Sequence, residues 1–126
     1  MKKIINTDKS PAPIGPYNQA ILKNNMLFIS GQIALDPISM KLNNNSIEDE
    51  TNQVMINLKH ILMEANMDFS NVVKTSIFLS DMDLFKKVNE IYGNYITKGD
   101  EPARETMAVK TLPMSVNVEI SMIAIL

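Results

Sequence analysis

The stretch "SIEDETNQVMINLKHILMEAN", Ser46 to Asn66, decides the fold. Ile47, Val54, Leu58, Ile61, Leu62 and Ala65 recur at helical spacing and form one apolar stripe. Ser46 stands where a helix cap is expected. Glu48, Asp49 and Glu50 follow as first-turn anions that complement the helix dipole, and Asn66 suits a left-handed terminator. A helix with a single stripe must lay it on a sheet or on another helix.

Both flanks supply strands. Upstream, "SPAPIGPYNQA" (Ser10 to Ala20) is a loop, because Pro11, Pro13 and Pro16 fix φ and remove donors. In "AILKNNMLFISGQIAL", two apolar runs flank Asn24-Asn25, residues that tolerate the positive φ of a tight hairpin turn. Strands are expected near Asn18–Leu22 and Met26–Ile33. Gly31 interrupts the second, the mark of a bulge or of close approach by another backbone or a ligand. Downstream, "NVVKTSIFLS" (Asn71 to Ser80) is rich in β-branched residues. A second helix follows, capped at Ser80 or Asp81 and ended by Gly99, with Leu84, Val88, Ile91, Tyr92 and Tyr95 on its buried side. Strands at Arg104–Lys110 and Val116–Ile125 complete a ββ–α–β–α–ββ order. The expected class is α+β: a mixed sheet with two helices packed on one face. The other face is either polar and wet or covered by another subunit. The apolar run "VEISMIAIL" (Val118 to Leu126) favours cover.

At 126 residues the chain is expected to form one domain, 1–126. Hydrophobic residues make up 45% and charged residues 21%, the balance of a globular protein rather than a disordered one. Twelve Lys+Arg against fourteen Asp+Glu give a net charge of −2 with no basic cluster, so nucleic acid is not an expected partner. "MKKIINTDKS" lacks the apolar stretch of a signal peptide, and no run reaches transmembrane length. A cytoplasmic location and no membrane partner follow as expectations. Cysteine is absent, which removes disulfides, thiolate nucleophiles and Cys-based zinc sites. The ten methionines read as core filling, because an unbranched thioether fits irregular gaps.

Few residues offer chemistry. The lone histidine, His60, lies opposite Leu58 and Ile61 on its helix and reads as a surface residue. No triad, metal cluster or phosphate loop can be assembled, so no metal or nucleotide cofactor is expected. Two charges within strands remain. In "ARETMAVK", alternation puts Arg104, Thr106 and Ala108 on one face, with Glu105, Met107 and Val109 on the other. In "SVNVEISMIAIL", Glu119 shares a face with Asn117 and Ser121. Both charges either point into water or join an ion pair, or Arg104 is a guanidinium fork for a ligand carboxylate. If Leu112–Ser115 closed a hairpin, Arg104 would pair near Ile123, roughly 13 Å from Glu119. The two meet over one ligand only if it spans that gap, if the strands are not hairpin partners, or if the cleft lies between subunits.

"PIGPYNQA" (Pro13–Ala20), "LFISGQIALDP" (Leu27–Pro37), "NVVKTSIFLSDMDLFKKVNEIY" (Asn71–Tyr92), "PARETMAVKTLP" (Pro102–Pro113) and "VEISMIA" (Val118–Ala124) together resemble the signature blocks of the reactive intermediate deaminase family, RidA/YjgF, in order and spacing. The resemblance implies a chorismate-mutase-like fold, a homotrimer with clefts between subunits, and hydrolysis of 2-imino or 2-enamino acids to 2-oxo acids and ammonia. It matches Arg104 to the residue that holds the substrate carboxylate and Glu119 to the acid associated with the attacking water. Tyr17 matches a catalytic-pocket tyrosine, Ser30 and Gly31 the strand end lining the cleft, and Asn89 the helix asparagine of the "VNE" stretch. Thr106, also taken as substrate-binding, stands where many members have cysteine, Asn18 where serine is common, and Met40 where glycine is common.

The chemistry suits these parts. An imine is already electrophilic, so orientation and proton handling suffice without a metal or a covalent nucleophile. The expected partner is a small carboxylate. A non-catalytic module binding a 2-oxo acid would use Arg104 equally well. Glu119 favours the enzyme, because a negative charge beside a bound carboxylate weakens binding but activates water.

Overall fold

Ser46 caps the first helix as its position predicts. It is extended at φ −145°, and its hydroxyl accepts the Asp49 N–H at 3.0 Å. In the computed structural model, which describes all 126 residues, this helix, α1, spans Ile47–Glu64 and ends before Asn66 in the left-handed region at φ 57°. Val54, Leu58, Ile61 and Leu62 are fully buried, and Ala65 closes the stripe. Ile56 and Met63 on its outer side are exposed.

The stripe lies on one six-stranded mixed sheet. The strands are β1 (Lys3–Ile5), β2 (Ala20–Lys23), β3 (Met26–Gln32), β4 (Val72–Leu79), β5 (Ala103–Ala108) and β6 (Val118–Ile125), in spatial order β1-β2-β3-β6-β4-β5. Asn24 and Asn25, both at positive φ, turn the β2–β3 hairpin. β3 pairs antiparallel with β6, and its register shifts between Ile29 and Gln32, so Gly31 does mark a bulge. The second helix, α2 (Phe85–Gly93), follows a short 3-10 turn (Met82–Leu84) capped by Asp81. It buries Val88 and Tyr92. It ends at Gly93 rather than Gly99, whose φ of 91° serves a later turn.

β5 corrects the hairpin geometry. It runs parallel to β4 at the sheet edge and does not pair with β6 at all. Other expectations also change. The N-terminal "KII" adds a first strand that alternation alone was too short to reveal. Glu50 is a first-turn anion as expected, and it is also 0% exposed, which its position in the sequence does not indicate. Met55, Met67 and Met122 fill the core, whereas Met63, Met82, Met107 and Met114 are exposed, so core filling does not account for the methionines. His60 is half-buried, with Nδ1 3.0 Å from the Lys9 carbonyl oxygen.

Both helices cover one face, where Leu27, Ile29, Ile77, Ile120 and Met122 meet α1. On the opposite face Ile33, Leu35, Leu112 and Val116 pack against Phe78 at one end, and the rest has no cover within the chain. Ile21, Phe28, Ile123 and Lys74 stand in one cross-strand row there, and Phe28 and Met107 are 44% and 43% exposed. No helix is long and apolar enough to cross a membrane.

Candidate active site in two halves

The proline loop and the β3 bulge build the first half. Gln19, buried at the loop's end, donates from Nε2 to the carbonyls of Thr7, Ser10 and Pro11 and so folds the loop around itself. Ser30 fastens the loop to β3: its N–H donates to the Gln19 carbonyl at 2.9 Å and its hydroxyl to the Asn18 carbonyl at 2.6 Å. Between loop and bulge lies a cavity of about 410 Å³ that includes Tyr17, Ser30, Gly31, Pro113 and Glu119. Tyr17 is exposed, and its hydroxyl accepts the Ile14 N–H at 3.3 Å, leaving its own proton free to donate.

Glu119 reaches this cavity from the uncovered face of β6, beside the glycine. A Cβ at position 31 would overlap the Glu119 carboxylate and stand 2.9 Å from its Cδ, so only glycine lets the carboxyl occupy this position. The carboxyl is half-buried. Burial pushes its pKa up, and no hydrogen bond or cation offsets the effect. A carboxyl in this state holds and releases protons nearer neutrality than a solvated one.

The second half lies on the helix face of β5. Arg104 donates from one guanidinium nitrogen to Asn89 Oδ1 at 2.7 Å, and its Cζ sits 5.6 Å and 5.2 Å from the ring centroids of Phe85 and Tyr92. Tyr92 is itself fixed, its hydroxyl donating to Thr75 Oγ1 at 3.0 Å. Burial raises the Tyr92 pKa, with the Thr75 bond and the Arg104 charge pulling the other way. The guanidinium is nevertheless exposed and takes no part in the chain's ion pairs, Lys74–Glu105 and Lys87–Glu48. Most of its five N–H donors are therefore free for a planar anion. Thr106 shares this face, but its Oγ1 is buried without a partner.

The halves do not meet within one chain. Arg104 is in register with Thr75 and Glu119 with Phe78, three residues apart along β4 and hence on opposite faces. Two strand spacings and that offset put their Cα atoms roughly 14 Å apart. One chain gathers Tyr17, Ser30, Gly31 and Glu119 on one side, with Arg104, Asn89 and Thr106 on the other.

The sequence profile described as endoribonuclease L-PSP matches residues 7–126. The chain belongs to this family. It is 49% identical over 125 residues to a RutC family protein of Synechocystis, covering 98% of this chain and 96% of that one. It is 46% identical over 125 residues to the mouse protein named 2-iminobutanoate/2-iminopropanoate deaminase, covering 99% of this chain and 92% of the mouse protein. Among solved structures, a Rid family protein of Yersinia pestis superposes with a TM-score of 0.97 at 40% identity, covering 100% of both chains.

Rid membership agrees with the α+β sheet and its two helices. The sequence differences at Met40 and Asn18 leave the architecture intact. Met40 adopts φ 57°, a value glycine reaches without cost, and at position 18 it is the backbone carbonyl that is used. Sequence reasoning missed Phe85, Tyr92 and Gln19 as parts of the candidate site. Tyr92 was legible only as a buried helix residue, because apolar spacing cannot say that a ring also faces a guanidinium.

Proposed function

We propose that the chain hydrolyses 2-imino acids and their 2-enamino tautomers to 2-oxo acids and ammonia, in a cleft completed between copies of itself. The observation that carries this reading is a pair of complementary halves: a pinned guanidinium with free donors, and an unpaired, half-buried carboxyl beside a cavity. The name of the mouse relative supports the same chemistry. Residues 1–126 act together as one domain in this reading.

Because the halves face away from each other across one sheet, a contact using the same patch on both partners does not unite them. A head-to-tail contact does, and such contacts form a ring when the rotation between copies closes. Three copies make the homotrimer that the family resemblance implies. The uncovered apolar face, with Phe28 and Met107 exposed, gives such a ring surface to bury.

In the reaction, Arg104 grips the substrate carboxylate through paired N–H donors. Glu119 of the neighbouring copy takes a proton from water as its oxygen attacks C2. The tetrahedral carbinolamine receives that proton on nitrogen, from Glu119 or through the Tyr17 hydroxyl. The C–N bond then breaks as the C2 hydroxyl passes its proton, through Glu119, to the departing nitrogen, so that the 2-oxo group forms and nitrogen leaves as ammonia. One imine and one water give one 2-oxo acid and one ammonia. An enamine first takes a proton at C3 to become the imine. Ser30 and Gly31 line the water side. Asn89 supports Arg104 rather than touching substrate, since its Oδ1 is already engaged. The Thr106 hydroxyl is buried, so backbone groups of β5 are the better candidates for contact there.

An amino-acid oxidase or dehydratase that releases the imine in situ supplies the test. The chain accelerates formation of 2-oxo acid and ammonia, while Arg104→Ala and Glu119→Gln remain folded and do not. A wild-type chain without effect on any imine would overturn the reading. The carboxylate-binding alternative draws no support from Glu119, which repels a bound anion unless it acts on water. RNA has little electrostatic hold on a chain of net charge −2 and pI near 5.3.

A further inference from the structure

We propose that Glu50, outside both halves of the site, is the positioning residue that sets the height of Glu119 over the β3 bulge; this role rests on the hydrolytic reading above. Glu50 lies in the first turn of α1 with no exposed surface. Its Oε2 accepts the backbone N–H groups of Asn117 at 2.7 Å and Val118 at 3.0 Å, and its Oε1 accepts Asn117 Nδ2 at 3.0 Å. These donors belong to the two residues immediately before Glu119.

Helix capping does not explain the burial. Ser46 already caps α1, and Glu48 and Asp49 already supply first-turn charge. A carboxyl withdrawn from water is costly unless every lone pair finds a donor, and here three converge on it. β6 begins where these bonds fall: its register with β4 starts at Leu79↔Val118, and nothing upstream belongs to the ladder. From the other side, Ser80 holds Asn117 by N–H to carbonyl at 3.0 Å and by hydroxyl to Oδ1 at 2.9 Å. The start of β6 is thus clamped between α1 and the end of β4. The Glu119 carboxyl makes no hydrogen bond, so its placement against Gly31 is inherited from this clamped backbone. The length of the Glu50 side chain therefore sets the position of the base.

Reach and charge can be separated. Glu50→Asp keeps the charge and withdraws the acceptors by one methylene. Glu50→Gln keeps the reach: its carbonyl accepts both backbone N–H groups, and Asn117 turns its amide to meet the new donor, with the Ser80 hydroxyl reversing its role. Steady-state kinetics on an enzymatically generated imine, with folding checked by circular dichroism, test this. The aspartate variant is expected to lose about 10- to 100-fold in kcat. Its KM stays within about twofold, because the Arg104 half is untouched. The glutamine variant is expected to keep kcat within about threefold. Wild-type kcat in Glu50→Asp, an equal loss in both variants, or a KM that rises in step with the loss would overturn the assignment. If Glu50→Asp does not fold, Asn117→Ala decides: a lower kcat at unchanged KM supports the clamp, and a lowered Tm with unchanged kcat removes it. A wild-type chain inactive on every imine removes the hydrolytic reading itself, whereas an active chain with an indifferent aspartate variant removes only the role of Glu50.

Discussion

Arg104 and Glu119 point away from each other across a single sheet, Arg104 beside Thr75 on the helix-covered face and Glu119 beside Phe78 on the uncovered one. A chain that binds a carboxylate with one and moves a proton with the other must borrow one of them from a neighbour. The arginine is ready for that use. It is clamped by Asn89 and two rings from behind, with its remaining donors turned out from an edge strand.

Subunit mixing tests this directly. Arg104→Ala and Glu119→Gln chains are each inactive alone. When co-refolded in equal amounts, they regain about a quarter of wild-type activity, because one cleft in four then draws an intact arginine from one copy and an intact glutamate from the next. A doubly substituted chain mixed with itself regains none. Absence of recovery in the mixed sample would show that both residues act from one chain.

Glu119 links activity to stability through pH. Burial raises its pKa above the ordinary 4.5, so the folded chain holds this proton to higher pH than the unfolded chain does. The sign follows: as pH rises from 4.5 through the raised value, a half-buried group ionises and folding stability falls. Activity rises over the same window, because the base must be ionised. Glu119→Gln is therefore expected to be inactive yet more thermostable, with a Tm advantage over wild type that widens as pH rises from 4.5 through the raised value. A gap that stays constant with pH would exclude ionisation of Glu119 as its source.

Gly31→Ala is expected to injure catalysis more than folding. The added methyl meets the movable end of Glu119, which can swing aside at small cost in stability. A displacement of about 1 Å at the base lowers kcat about 100-fold. Tm should change by no more than a few degrees, and an alanine variant with wild-type kcat would separate Glu119 from the reaction.

Removing the oxygen behind Arg104 should loosen the anion grip. Asn89→Ala deletes the 2.7 Å bond and lets the guanidinium move between Phe85 and Tyr92. A hydrogen bond to a charged group contributes about 1.5–3 kcal/mol when shielded, and this one is exposed, so KM should rise about 3- to 10-fold with kcat little changed. Tyr92→Phe keeps the ring and loses only the Thr75 bond, so it should cost about 1–3 kcal/mol in stability without raising KM. Denaturant titration and initial rates distinguish the two effects. A KM that rises in Tyr92→Phe as it does in Asn89→Ala would place the Tyr92 hydroxyl in substrate binding.

Much of the architecture is legible locally. The Ser46 cap, the stripe from Val54 to Ala65, the Asn24-Asn25 turn and the alternation that puts Arg104 with Thr106 depend on neighbours a few residues away. Family resemblance adds the names of the site residues. It does not add their arrangement.

Two features resisted that reading for one physical reason. Hydrogen-bond partners in a sheet are set by which strands are adjacent in space, and no period in the chain states whether the strand after α2 joins β6 as a hairpin or β4 as a parallel edge. Glu50 likewise reads as one of three helix-start anions, until β6 brings its unpaired N–H groups against it 67 residues later. Local spacing thus determined α1 and most of the strands, their faces and the chemical types available. Only the packed sheet decided that the arginine and the glutamate are separated, because burial and strand adjacency are properties of the whole chain rather than of any segment.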